Sequence, residues 1–417
     1  MDPSVAPSDG TSPFLEASDD IKLLILQYLN CLSTKQKMRL ELVCRTFRDL
    51  IRQPHAWTRD NYLHIHFDTL VYTGGIGPMS VYTIVCLNDT ELLGHRPIGS
   101  ALENFLQRAT IHHLRIAAYA KHAVPDFLLI HISDIFARYR HKFQLQSFAL
   151  RNWTSPAFNW QYLLNSFSTA PQLQSLSVDT HSLSPQQAQF MKEFLGGMAN
   201  WPLLYSLTLT DSDCIGLIAH CINAVPDCKN LQQLTLCYLP EVSAEKLAQF
   251  CNSLPQLTDL DVSSGRRNTK FKCTKVVAHL CDRLKAQLKL LAVDVKKFNS
   301  PLEKEMLLSL PTQFTSLTKF SQKSSTARVL NETIIAELMT ELFDVLNERK
   351  TDSNFQLDLY LRVPQDQFLR RLATSSNSSV TLDPERKLWL FQKDRAVIQL
   401  KDNCGAVLNP FQQIIVV

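Results

Sequence analysis

Seven times between residues 111 and 293 the chain returns to one apolar signature, L-x-x-L-x-L with Ile, Val or Phe allowed at the Leu positions. The copies are Ile111/Leu114/Ile116, Leu145/Phe148/Leu150, Leu173/Leu176/Val178, Leu204/Leu207/Leu209, Leu231/Leu234/Leu236, Leu257/Leu260/Val262 and Leu288/Leu291/Val293. Successive starts lie 34, 28, 31, 27, 26 and 31 residues apart. The last two apolar positions of each copy alternate as in a strand with one buried face, and the interval leaves room for one helix. A unit of that size cannot bury its own apolar face, so neighbouring copies must stack into a solenoid. The fold class read from this is α/β, a curved parallel sheet with outer helices.

The helical halves carry their own start signals. Ser155 with Pro156, Ser184 with Pro185 and Ser300 with Pro301 each place a capping residue before a proline at the first helical position. Gln187 and Glu303 complete capping boxes with Ser184 and Ser300. This alternation over residues 111–320 resembles the longer, helix-containing leucine-rich repeats. Residues 321–417 are less regular and read as irregular terminal repeats and a cap. Phe314/Leu317/Phe320 keeps approximate phase, a helix runs from Ile334 through Leu338, Leu342 and Val345, and Phe355/Leu357/Leu359/Leu361 reads as a strand. Thr374 to Ser379 reads as a mobile polar loop, followed by short strands at Leu388 to Phe391 and Val397 to Leu400.

Before the repeats, residues 1–13 read as a disordered polar tail and residues 14–60 as a small helical unit. Asp19 and Asp20 precede the apolar stretch from Ile21 to Leu29, where acidic groups favour the start of a helix. Ser33 and Gln36 open a second amphipathic helix with Leu40, Val43, Phe47 and Leu50 on one face, and Trp57 anchors the end. The "ILQYL" of residues 25–29, the "LVCRTF" of residues 42–47 and Trp57 follow the order of the F-box family, which this unit resembles. The resemblance implies docking onto a Skp-type adaptor, and through it a cullin scaffold, by Ile21, Leu24, Ile25, Tyr28, Leu29, Leu42, Val43, Cys44, Phe47 and Trp57. Residues 61–110 read as a transition segment with a hairpin between the alternating run from Tyr62 and the run Val81 to Leu87.

On the sheet, residues between and after the core leucines point away from the core. One column holds Ala149, Ser177, Thr208, Thr235, Asp261 and Ala292, the next Arg151, Asp179, Thr210, Cys237, Ser263 and Asp294. This concave face is the expected site for an unidentified protein substrate. A longer connection after Val262 carries Arg266, Arg267, Lys270, Lys272 and Lys275, suited to an acidic or phosphorylated segment.

Composition narrows the function classes. With 43 basic against 39 acidic residues, the charge is too balanced to imply nucleic acid or an anionic membrane, and no apolar run approaches the length of a membrane span. The 11 cysteines include no C-x-x-C pair and sit in apolar segments, which reads as reduced thiols in the cytosol or nucleus. His64 and His66 share a strand face without a third ligand in recognisable spacing, and the glycines from Gly74 to Gly77 lack the Lys-Ser or Lys-Thr of a phosphate loop and read as a turn. No cofactor and no catalytic motif is expected. The function expected is a non-catalytic substrate-recognition adaptor of a Skp-cullin-F-box ubiquitin ligase. The alternative is a repeat scaffold whose N-terminal helices are only a cap.

Overall fold

A computed structural model of the 417-residue chain describes residues 61–69, 81–87, 90–92, 98–118, 126–152, 172–180, 185–197, 201–211, 217–224, 228–237, 242–263, 272–294, 301–323, 332–348, 354–359, 365–383 and 388–402, with residues 17, 18, 21, 36, 39, 42, 43 and 48. It divides into two compact units, residues 1–190 and 191–417.

The first unit carries β1 (Tyr62–Thr69), β2 (Val81–Leu87), β3 (Thr90–Leu92), α1 (Ile98–Arg108), β4 (Ile111–Ala118), α2 (Asp126–Arg138), β5 (Phe143–Asn152) and β6 (Ser175–Thr180). β1, β4, β5 and β6 pair in parallel, each with the next, while β2 folds back antiparallel on β1 and β3 on β2. The expected hairpin is present, yet residues 61–110 are more than a transition. β1 joins the parallel ladder beside β4, with α1 in the connection, so the strand–helix alternation begins one copy earlier than the leucine signature indicates. Leu63 and Ile65 fill the positions that Leu114 and Ile116 fill next to them, and all four are buried. Asn61 fastens this first rung: its carbonyl accepts the amides of His112 and His113, and its Nδ2 donates to the Thr110 carbonyl at 2.9 Å.

Helix α3 (Pro185–Gly196) follows with proline first, as its start signal requires. The second unit then continues with β7 (Ser206–Asp211), α4 (Leu217–Ala224), β8 (Gln233–Cys237), α5 (Ala244–Ser253), β9 (Asp259–Ser263), α6 (Cys273–Ala278), α7 (Asp282–Gln287), β10 (Leu290–Asp294), α8 (Pro301–Gln313), β11 (Lys319–Lys323), α9 (Glu332–Glu348), β12 (Asn354–Leu359), α10 (Gln365–Ser375), β13 (Ser379–Asp383), β14 (Leu388–Lys393) and β15 (Ala396–Asp402). Strands β7 to β12 run parallel in chain order. β15 extends them in parallel, and β14 and β13 close the edge as an antiparallel meander. Among the described residues no helix is long and apolar enough to cross a membrane.

Every residue of the seven apolar triplets is buried. A fourth core position, not visible in the leucine signature, lies three residues before the first leucine. Trp201, Cys228 and Phe314 occupy it, buried, and their carbonyls accept the amides of Leu204, Leu231 and Leu317 to turn the chain from helix to strand. Phe314 therefore belongs to the turn, and the copy expected at Phe314/Leu317/Phe320 is in phase as Leu317/Phe320/Gln322. Pairing of Phe320 with Leu291 and of Gln322 with Val293 fixes that phase. Gln322 is a fully buried amide in a column of Val and Leu, and its polarity hid the true register.

Two further expectations are corrected. The helix expected to run from Ser33 to Ile51 is interrupted: residues 36, 39 and 48 are helical, but Leu42 and Val43 form a turn closed by the Leu42 amide on the Arg39 carbonyl at 3.0 Å. Val43, expected on the buried stripe, is 66% exposed, because a turn cannot hold the helical spacing that would direct it inward. Thr374 to Ser379 is not a mobile polar loop. Thr374 and Ser375 end α10, buried Ser376 donates its hydroxyl to the Leu372 carbonyl at 2.7 Å, Asn377 takes the left-handed conformation that ends helices, and Ser379 opens β13.

Helix α9 carries a charge imbalance with a measurable consequence. Lys304 pairs with Glu337 at 3.2 Å and Lys393 with Asp344 at 3.4 Å, whereas Glu341 stands between the two carboxylates. Partial burial, then the charges of Glu337 and Asp344, push its carboxyl above the ordinary range. A raised folded-state value means that the ionised side chain opposes folding, an effect absent below the unfolded-state pKa of about 4.3 and growing as pH rises through the folded-state value. Glu341→Gln is expected to melt at a higher temperature than wild type at pH 7 and at the same temperature at pH 3.5, measured by circular dichroism.

Candidate interaction surface

Alternation along each strand sends the leucines to the core and the intervening side chains to the opposite face. Parallel register then lines these side chains into rows. In the first unit, one row holds Tyr62, His113, Ser147 and Ser175, the next His64, Arg115, Ala149 and Ser177, and the third includes Ala117, Arg151 and Asp179. In the second unit, the corresponding rows hold Gln233, Asp259, Leu290 and Lys319; Thr208, Thr235, Asp261, Ala292 and Ser321; and Thr210, Cys237 and Ser263. The register thus reproduces the two columns read from the leucine spacing, in two separate sets.

The rows differ in exposure. Ser177, Thr208, Thr235, Cys237 and Asp261 are half-buried and can be touched by a partner. Arg151, Asp179, Thr210 and Asp294 are at most 5% exposed, so these side chains are covered where an open face was expected. Each stands at or next to the C-terminal end of its strand, flanked by parallel neighbours only about 4.8 Å away. Buried charge needs compensation, and Arg151 and Asp179 are direct register partners.

Local contacts stiffen the surface. The Tyr62 ring, 45% exposed, stacks on the His113 imidazole with centroids 4.1 Å apart and 9° between planes. His113 Nδ1 and Ser147 Oγ are hydrogen-bonded at 2.8 Å. In the second unit, buried Asp358 takes Lys319 Nζ at 3.1 Å and Gln356 Nε2 at 2.7 Å. Among the described residues no three His, Cys, Asp or Glu side chains gather as metal ligands. Burial pushes the Cys251 thiol up to about 12, which removes it as a nucleophile at neutral pH.

Of the adaptor-docking residues expected at the N-terminus, Ile21, Leu42 and Val43 are exposed by 51%, 80% and 66%. Leu24, Ile25, Tyr28, Leu29, Cys44, Phe47 and Trp57 lie outside the described residues, as do Arg266, Arg267 and Lys270 of the basic connection, Ser155 with Pro156, and the glycines from Gly74 to Gly77. Lys272 and Lys275 are exposed on either side of buried Cys273 and Thr274 at the start of α6. The sequence reading missed His64, His113 and Arg115 as members of the face. It began the columns at β5, although the alternation His113-Leu114-Arg115-Ile116 carries the same signal.

No protein-family model matches the chain, and none of the curated proteins matches it in sequence.

The third row yields a test of its own. Asp179→Ala is expected to destabilise the fold by about 3–5 kcal/mol because it leaves the Arg151 charge buried beside an alanine. Arg151→Met combined with Asp179→Leu is expected to recover most of that loss. Urea unfolding of the single and double variants measures both, and equal loss in the two would remove the ion-pair account.

Proposed function

We propose that the chain is a substrate-recognition adaptor of a Skp-cullin-F-box ubiquitin ligase. The N-terminal helical unit docks to a Skp-type adaptor, and the row-forming face of the strand–helix repeats, read as leucine-rich repeats, holds the target protein. Ubiquitin transfer is catalysed by partner subunits, and the chain itself contributes no catalytic group. The observation that carries this reading is the pair Leu42 and Val43, adjacent large apolar side chains held outward by a tight turn inside the F-box-like motif. Water-exposed apolar groups of this size are unfavourable and mark interaction sites when they cluster. Ile21, exposed in the preceding helical segment, extends the same chemistry. The repeats support the second half of the reading, since the parallel strands of each unit offer an extended face of the kind that repeat proteins use for binding.

One observation favours a repeat scaffold without ligase association. F-box proteins usually begin the motif with a Leu-Pro pair, and here Ala17 and Ser18 stand in its place. Ser18 serves instead as a helix cap, its hydroxyl accepting the Ile21 amide at 3.4 Å.

Co-purification separates the two. The full chain is expected to retain a Skp-type adaptor, and a chain lacking residues 14–57 is expected to lose it. Leu42→Asp with Val43→Asp is expected to abolish retention while changing stability by no more than about 0.5 kcal/mol per site, because both side chains already face solvent. No retention by the full chain would leave the scaffold reading.

A further inference from the structure

Arg115 stands out among the cations on the face of the first unit. It lies in the middle of β4, between the buried Leu114 and Ile116, and is half-buried itself. Its Nε is shielded from solvent and has no hydrogen-bond acceptor among the described residues. No carboxylate is its direct register partner: His64 and Ala149 flank it, Tyr62, His113, Ser147 and Ser175 form the row on one side, and the carboxylate of its own row, Glu91, stands on β3, beyond His64 and Cys86. Asp179 sits one row further along, in register with Arg151. A guanidinium nitrogen shielded from water without an acceptor is costly, and an anion that reaches the group offsets that cost.

The surroundings specify the anion. Ala149, half-buried on the neighbouring strand, is the small residue in register with Arg115. His64 and His113 bring imidazoles to its flank, and the Ser147 hydroxyl holds His113 through Nδ1. Ser177 adds a hydroxyl across Ala149. Donors therefore stand on neighbouring strands of one face, an arrangement that suits a group with three acceptor oxygens better than a carboxylate with two. Resting on the reading of this face as the partner-binding surface, we propose that Arg115, flanked by His64 and His113, is the receptor for a phosphoserine or phosphothreonine side chain of the bound protein.

The test observes the guanidinium directly. In the full chain labelled with ¹⁵N-arginine, the Arg115 Nε–H resonance is assigned by its disappearance in Arg115→Lys and followed while phenyl phosphate, then a degenerate phosphoserine and phosphothreonine peptide pool, is added. A saturable shift of that resonance is expected, with no shift from the same pool unphosphorylated or with glutamate in place of the phosphoresidue. Arg115→Gln is expected to weaken peptide binding about 10- to 100-fold, in keeping with the strength of bidentate arginine–phosphate pairs. Ala149→Glu, which sets a carboxylate beside the guanidinium, is expected to fold and to abolish binding equally. An unmoved resonance at millimolar phosphate, an equal response to the glutamate pool, or undiminished binding by Ala149→Glu would overturn the proposal. Retention of the Skp-type adaptor is read separately, so failure of the phosphate site and failure of the ligase reading give different results.

Discussion

Parallel strands can be neighbours only if the chain crosses back between them, and that constraint organises both units. Five crossovers end on the same device: a carbonyl just ahead of one strand accepts two successive amides of the next copy. Tyr205 receives Gln232 and Gln233, Gln232 receives Thr258 and Asp259, Thr258 receives Lys289 and Leu290, and Lys289 receives Thr318 and Lys319. Asn61 does the same for His112 and His113 in the first unit. Within each unit these shared acceptors set the strands they join in register. Register in turn aligns the leucines into continuous buried columns and the intervening residues into continuous rows. A one-residue slip would move Leu234 out of the core and Thr235 into it, so the backbone rung and the apolar column enforce each other.

Side-chain bonds concentrate where that alignment is hardest to keep. The connection between β9 and β10 is split into two short helices, each too brief to be stable alone. Asn252 bridges them, donating to the His279 carbonyl at 3.1 Å and accepting the Cys281 amide at 2.9 Å. Arg283 then donates to the carbonyls of Asn252, Leu254 and Pro255, and Gln287 to those of Pro255 and Leu257. Five carbonyl contacts replace what a longer helix would have supplied through its own ladder. The same economy appears at the last strands, where the meander β13 to β15 turns the parallel edge into antiparallel pairing and removes the open row of hydrogen-bonding groups beyond β12.

Much of this was legible from leucine spacing because a period near 30 residues with strand alternation admits few architectures. What escaped had physical reasons. The first strand was hidden because Asp60 stands three residues before Leu63 where the other copies have an apolar residue, and the turn is held by the hydrogen bonds of the next residue, buried Asn61. The last phase was hidden because Gln322 puts an amide where apolar residues had marked the column. The turn at Leu42 and Val43 was overlooked because an apolar spacing of three and four fits a helix whether or not the backbone continues through it. On the face opposite the leucines, the small residues expected to point outward stand half-buried at Ser177, Thr208 and Thr235. The third row could not be judged from sequence, since covering of Arg151 and Asp179 depends on neighbours that alternation does not specify.

The two units use the same scaffold to present different chemistry. In the second, the middle row is built of Thr208, Thr235, Asp261, Ala292 and Ser321, short side chains that exchange hydrogen bonds with whatever approaches at little cost in ordering. In the first, the equivalent row includes an imidazole and a guanidinium, groups with fixed donor geometry. A sheet restricts such groups further, because the backbone on both sides is locked by ladders and the rotamers are confined by neighbours 4.8 Å away. Restriction of this kind lowers the entropy lost on binding and makes recognition depend on the shape of the incoming group. A carboxylate placed beside Arg115 would supply the acceptor that its Nε lacks among the described residues and would occupy the donors that the proposed phosphate needs. On the proposed reading the acceptor is left to the ligand, while the buried leucine columns beneath hold the strand in place.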